Sequence, residues 1–286
     1  MADFSRKDNY SDRVIKRIRD IKKNHGDILF VPNKDCIKAY YKGLVLFEKI
    51  TDNCENLAKK CEDQSWDKNH DAILREIGSG MPRDKERRTQ QIIALRNMSF
   101  ERNKYSVCGF ETTISTKDVK IPGKAGAPEI DMVILRPSDN PKERSIILVE
   151  YKCKGSSMLE GKQNIECHYR DYLAILNSDV MDNIKVEIIK SYRLLCRING
   201  IETSDEEFDA KDYRTQIAFL FVDRVVDENG NVESYITEDD YSNAMSLFEK
   251  IGVNHNEVLY LRFKTPEEVN LNNWRAIKKS RLRLTE

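Results

Sequence analysis

Two short apolar runs constrain this chain more than any other feature. They are Ile130-Asp131-Met132-Val133-Ile134-Leu135 and Ser145-Ile146-Ile147-Leu148-Val149, the second closing on Glu150-Tyr151-Lys152. Residues 136–144 between them are rich in Pro, Asn, Asp and Ser, so the runs read as antiparallel strands of one hairpin. A hairpin folding between Asn140 and Pro141 sets Asp131 opposite Glu150. Residues facing each other in this way have Cβ atoms roughly 4.5–5.5 Å apart, and like charges placed there repel. Glu150 and Lys152, two residues apart, project from the same face. One face therefore carries Asp131, Glu150 and Lys152. The runs are continuously apolar, the pattern of strands covered on both sides, so these charges stand at the rim of a buried sheet. Unpaired charge is expensive there. A hard divalent cation resolves the conflict: Mg²⁺ takes carboxylate and carbonyl oxygens and is usually held by one or two carboxylates plus a substrate phosphate. An ammonium beside such a cation can orient a water for attack on phosphorus.

The pattern Pro128-Glu129-Ile130-Asp131 followed by Glu150-Tyr151-Lys152 resembles the PD-(D/E)XK nuclease superfamily, which has the restriction-endonuclease-like fold. The strings EIDMVIL and IILVEYK are similar to the strand pair of Holliday-junction-resolvase-like members. The resemblance implies that Asp131 and Glu150 bind Mg²⁺ or Mn²⁺ and that Lys152 positions the nucleophilic water. The backbone carbonyl of Tyr151 is a candidate further metal oxygen, with its side chain packing on the other face. Pro128 stands three residues ahead of Asp131 rather than beside it, and Glu129 shares a strand face with Asp131 as another candidate. Family members often contribute an acid from the first helix; Glu86 is favoured here and Glu76 is second. A solvated first-turn glutamate that favours the helix dipole is the other reading of Glu86. Glu111 is a third candidate, or else a partner for a basic side chain. Gln163 stands where some exonuclease-like members carry a functional Gln, but Cys167 replaces the Tyr that would follow it. Apart from the resemblance, a salt-bridged hairpin at a sheet end stays open.

The flanking segments supply the remaining elements. Asp84 to Asn97 reads as a helix with acidic residues in its first turn, and Tyr105 to Ser115 as a strand ahead of a Gly/Pro-rich turn at 122–128. Leu159 to Leu176 and Glu238 to Ile251 have helical spacing, while Gln216 to Val222 and Glu257 to Phe263 read as buried strands. This order predicts an α/β fold, a mixed sheet with helices on both faces, over residues 81–286. Residues 1–80 are expected to form a helical region. Ile37 to Ile50 and Ala72 to Ile77 have helical spacing, and Asn53 to Trp66 is a further candidate. That region reads as a specificity or dimerisation module, or as a layer packed on the sheet.

Composition permits this reading without requiring it. With 286 residues, 40% of them hydrophobic, the chain can bury a full core. Its 48 basic and 48 acidic residues balance, so any nucleic-acid contact must come from local patches. One candidate is Arg13, Lys16, Arg17, Arg19, Lys22 and Lys23 on an amphipathic helix that stops at His25-Gly26. The other is Arg275, Lys278, Lys279, Arg281 and Arg283 after Trp274. Either could equally be a solvated face. No stretch is apolar enough to span a bilayer and the first residues do not read as a signal peptide, so a cytoplasmic protein is expected. The seven cysteines form no C-x-x-C pair, which indicates neither zinc nor a disulfide framework. His25, His70, His168 and His255 are scattered, and His168 reads as a packed or surface residue. Neither a phosphate-binding glycine loop nor a serine nucleophile elbow is present. The expected function is a Mg²⁺- or Mn²⁺-dependent endonuclease on DNA, of a restriction or phage-defence kind. A ribonuclease and a non-catalytic binding or assembly module are the alternatives, and a homodimer or partner chain is expected to complete the nucleic-acid surface.

Overall fold

The run that ends in Glu150-Tyr151-Lys152 forms strand β7 (Ser145–Lys152), which is buried at every position. The computed structural model describes residues 10–33, 36–79, 85–114, 128–154, 156–159, 164–203, 208–226, 232–234, 236–253 and 258–276. β6 (Glu129–Arg136) pairs antiparallel with β7, Met132 facing Val149 and Arg136 facing Ser145. The expected hairpin therefore forms in the expected register, and Asp131 and Glu150 stand one step past the last ladder pair. Its turn is held by Asn140, whose Oδ1 accepts from the Lys142 N–H at 3.1 Å.

The main sheet is mixed. β5 (Ser106–Thr113) lies antiparallel on the outer side of β6. β8 (Arg214–Val222) and β11 (Val258–Phe263) continue the sheet parallel to β7 on its other side, and the two-residue β12 (Arg275–Ala276) ends it. The order is β12-β11-β8-β7-β6-β5. A small antiparallel pair, β9 (Arg224–Val226) and β10 (Val232–Ser234), stands apart from it. Parallel neighbours require crossovers. Between β7 and β8 the chain forms α4 (Ser156–Leu159), α5 (Ile165–Leu176) and α6 (Met181–Ile198); between β8 and β11 it forms α7 (Glu238–Lys250). The 18-residue α6 was not anticipated from the sequence.

Strand residues alternate between two apolar layers. Val133, Leu135, Ile146 and Leu148 face Tyr172 of α5, Tyr192 of α6 and Phe248 of α7. Met132, Ile134, Ile147 and Val149 face Ile93 and Ala94 of α3 (Lys85–Arg96). Helices thus cover both faces, which is why β6 and β7 read as continuous apolar runs rather than alternating ones.

The expected helical character of residues 1–80 is corrected. The basic helix is there as α1 (Asp12–Asn24), with Ser11 as its N-cap and His25 as its C-cap, and Ala72 to Ile77 lies in α2 (Trp66–Ser79). Between them, however, β1 (Ile28–Asn33), β2 (Cys36–Tyr41), β3 (Leu44–Ile50) and β4 (Glu55–Leu57) form a four-stranded antiparallel sheet. The helices expected over Ile37 to Ile50 and Asn53 to Trp66 are not formed. Lys42 and Gly43 have φ of 51° and 81°, the left-handed pair of a two-residue hairpin turn, which no continuing helix can contain. The short apolar runs around them satisfy either period, and their β-branched and aromatic residues suit a strand.

This N-terminal layer shares its core with the main sheet: Val14, Ile18 and Phe30 belong to the same buried cluster as Ile130, Leu148 and Tyr172. Gln91 of α3 fastens the two. Its Oε1 accepts from the Gly43 N–H at 2.6 Å, and its Nε2 donates to the Tyr40 and Asp27 carbonyls at 3.2 and 2.9 Å. Half of the α1 patch is consumed in the same way. Arg17 pairs with Glu55 and Asp67, Arg19 donates to the carbonyls of Arg197 and Ile198, and Lys22 donates to Asn199. Arg13, Lys16 and Lys23 remain exposed. Of the second patch, only Arg275 lies within the described residues. Among those residues, no helix is long and apolar enough to cross a membrane.

Candidate active site

Where the β6–β7 ladder stops, its hydrogen bonding is continued by a side chain. The Tyr151 N–H donates to Asp131 Oδ2 at 2.7 Å in place of a backbone carbonyl. On the same face of β7, the Lys152 Nζ donates to Glu150 Oε1 at 2.7 Å. Both side chains are almost wholly enclosed, with relative exposures of 4% for Glu150 and 5% for Lys152. Buried charges are tolerated only when paired and hydrogen-bonded. The other oxygen of Glu150 meets that requirement from α5: the Tyr172 hydroxyl donates to Oε2 at 2.9 Å, and His168 Nδ1 lies 3.1 Å from it.

Asp131 keeps part of its surface exposed, yet it sits in dense protein at the strand edge. Burial pushes its carboxyl well above the ordinary carboxylate range, and the charge of Glu150 pushes it further. The Tyr151 N–H and the ammonium of Lys152 pull it back, and the charge of Glu86 raises it again. The Tyr172 phenol is likewise driven well above its usual range, first by burial and then by the charges of Glu150 and Asp131.

The structure thus brings Asp131, Glu150 and Lys152 together as the strand register requires. Glu86, in the first turn of α3, lies within electrostatic reach of Asp131, Tyr151 and Cys153. The Tyr151 side chain is fully buried in the opposite layer, beside Thr89 and Cys153, as expected. Burial pushes the Cys153 thiol up to about 12. Glu111 does not join the cluster, although Phe110 pairs with Met132 and Thr112 with Ile130, so its backbone lies across from Asp131. Its φ of 45° breaks the strand alternation, and its carboxylate pairs with Arg87 of α3. Glu76 accepts from Gln64 Nε2 at 2.7 Å and lies against Cys61. Glu129 is exposed at the start of β6, facing Thr113, and Gln163 lies outside the described residues.

Sequence reasoning missed His168 and Tyr172. The available signal was their spacing, four residues apart on the helical stretch that follows β7, which puts both on one helix face.

Among the described residues, no group of three or more His, Cys, Asp or Glu side chains is placed to hold a metal. The cluster is therefore no closed cage. It offers two carboxylates side by side in poorly solvated surroundings, with Lys152 offsetting only part of their charge. That donor set fits a hard divalent cation whose shell is completed by water and a substrate phosphate. Comparison with protein-family models, curated proteins and solved structures finds no match for this chain.

Proposed function

We propose that the chain is a PD-(D/E)XK-type nuclease, a metal-dependent phosphodiesterase that cleaves nucleic acid as an endonuclease, with DNA favoured as substrate. The observation that carries this reading is the convergence of Asp131, Glu150 and Lys152 on one face at the end of β6 and β7, in the register their spacing dictates. The succession α3, β5-β6-β7, α5, β8, α7 and β11 supports a restriction-endonuclease-like sheet. Asp131 and Glu150 would hold Mg²⁺ or Mn²⁺, with the Tyr151 carbonyl as a further ligand and Glu86 as a candidate outer acid. When bound, the cation supplies Lewis-acid polarisation of the phosphate and activation of water. Lys152, fixed by Glu150, orients the attacking water and stabilises charge developing on the phosphate. The Tyr151 N–H holds Asp131 in position. The exposed Arg13, Lys16 and Lys23 supply local attraction for the phosphate backbone, and the overall charge balance supports a second copy or a partner completing that surface. A cytoplasmic restriction or phage-defence setting belongs to the same reading.

One observation favours a second reading. Both Glu150 oxygens already have protein donors, as they would in a non-catalytic binding or assembly module with a closed polar cluster. Cleavage of supercoiled plasmid and of a structured RNA, each in Mg²⁺, Mn²⁺ and EDTA, separates these readings. Metal-dependent nicking of the plasmid that is lost in Asp131→Ala and Lys152→Ala is the expected result. Cleavage of RNA alone would assign a ribonuclease, and cleavage of neither by well-folded protein would leave the binding module.

A further inference from the structure

His168 and Tyr172 reach the same oxygen. The Tyr172 hydroxyl lies 2.9 Å from Glu150 Oε2 and 3.3 Å from the Val149 carbonyl, so its single proton is best placed on the carboxylate. His168 Nδ1 lies 3.1 Å from that same Oε2, whereas Oε1 takes the ammonium of Lys152 at 2.7 Å. The two oxygens of one carboxylate are thus divided: α5 holds one, and the other is shared with Lys152 at the rim. A glutamate has three side-chain torsions to fix before it can ligate a cation, and donors supplied from a rigid helix fix them in advance.

We propose that His168 and Tyr172 are positioning residues for Glu150. They lock Oε2 against α5 and so present Oε1 as the ligating oxygen, with Lys152 poised beside it. The inference rests on the metal-site reading above and deepens it. It assigns the cation affinity of the site partly to a helix that contributes no ligand of its own. His168 is the residue to vary, because its side chain is 17% exposed, whereas Tyr172 is packed in the core.

The test uses the full chain as wild type, His168→Ala, His168→Gln and Arg170→Ala. Arg170 is an exposed residue of the same helix, paired with Glu166, and controls for disturbance of α5. Mn²⁺ affinity is measured by calorimetry, the Mg²⁺ half-saturation by plasmid nicking, and the melting temperature in EDTA. Loss of an outer-shell partner weakens metal binding by about 10- to 100-fold, so His168→Ala should bind Mn²⁺ that much more weakly and require correspondingly more Mg²⁺. His168→Gln, whose amide can donate to the same oxygen, should recover most of the affinity, and Arg170→Ala should match wild type. A merely structural role would lower the melting temperature without moving Mn²⁺ affinity. Wild-type affinity in His168→Ala, or a loss that His168→Gln does not relieve, would overturn the positioning role while leaving the metal site standing. No Mn²⁺ binding by the wild type would overturn the metal-site reading, and this inference with it.

Discussion

Asp131 works against the fold that holds it. Its carboxyl is raised by burial and by Glu150, so in the relevant window the folded chain binds more protons than the unfolded chain does. The stability linked to that proton is fully present below the unfolded carboxylate value, near 3.9, and is lost as pH rises through the higher folded value. In EDTA, Asp131→Asn should remove this loss, because the amide oxygen can still accept from the Tyr151 N–H. Urea unfolding at pH 5 and pH 8 should show the variant gaining on wild type at the higher pH; a constant difference between the two pH values would refute the linkage. At this scale, Asp131, Glu150 and Lys152 were legible because strand alternation and hairpin register are local rules. His168 and Tyr172 were not, because the rotation of α5 about its axis is set by packing on the sheet. Glu111 shows where a local rule fails: alternation would have set it beside Asp131, and one left-handed residue sends it to Arg87 instead.

Among the elements, two contacts carry testable weight. Gln91→Ala would strip the buried Gly43 N–H of its acceptor and the Tyr40 and Asp27 carbonyls of their donor. Leaving a buried donor unsatisfied costs about 1–3 kcal/mol, and chemical denaturation should show a loss of that size. Gly109 sits at the irregularity in β5, where an added Cβ would lie 2.8 Å from Thr112 Oγ1 and 2.9 Å from Val133 Cβ. Gly109→Ala should therefore destabilise by about 1–3 kcal/mol through overpacking, and an unchanged denaturation midpoint would show that β5 can yield there. The helices and strands flanking the hairpin were legible from long runs of one period. The N-terminal sheet was not, because its strands are short and their apolar residues satisfy both periods, which leaves the Lys42-Gly43 turn as the decisive signal.

In the whole molecule, the boundary expected near residue 80 does not separate two cores, since residues of α1 and β1 pack in the same cluster as β6, β7 and α5. A chain beginning at residue 81 should accordingly lose cooperative thermal unfolding and expose apolar surface to a dye such as ANS; a sharp transition in that fragment would establish an independent domain. Pattern could announce a mixed sheet with helices on both faces. It could not reveal that a second sheet completes one core, because that depends on contacts far apart in sequence such as Gln91 of α3 with Gly43 in the β2–β3 turn.

The central claim is that Asp131 and Glu150 jointly hold a divalent cation, and thermal melting in EDTA against excess Mn²⁺ tests it most directly, with wild type, Asp131→Asn and Glu150→Gln compared. A ligand at 100 times its Kd stabilises by about 2.7 kcal/mol, so Mn²⁺ should raise the wild-type melting temperature by several degrees and leave both variants unmoved. An equal rise in all three proteins, or none in the wild type, would contradict the claim.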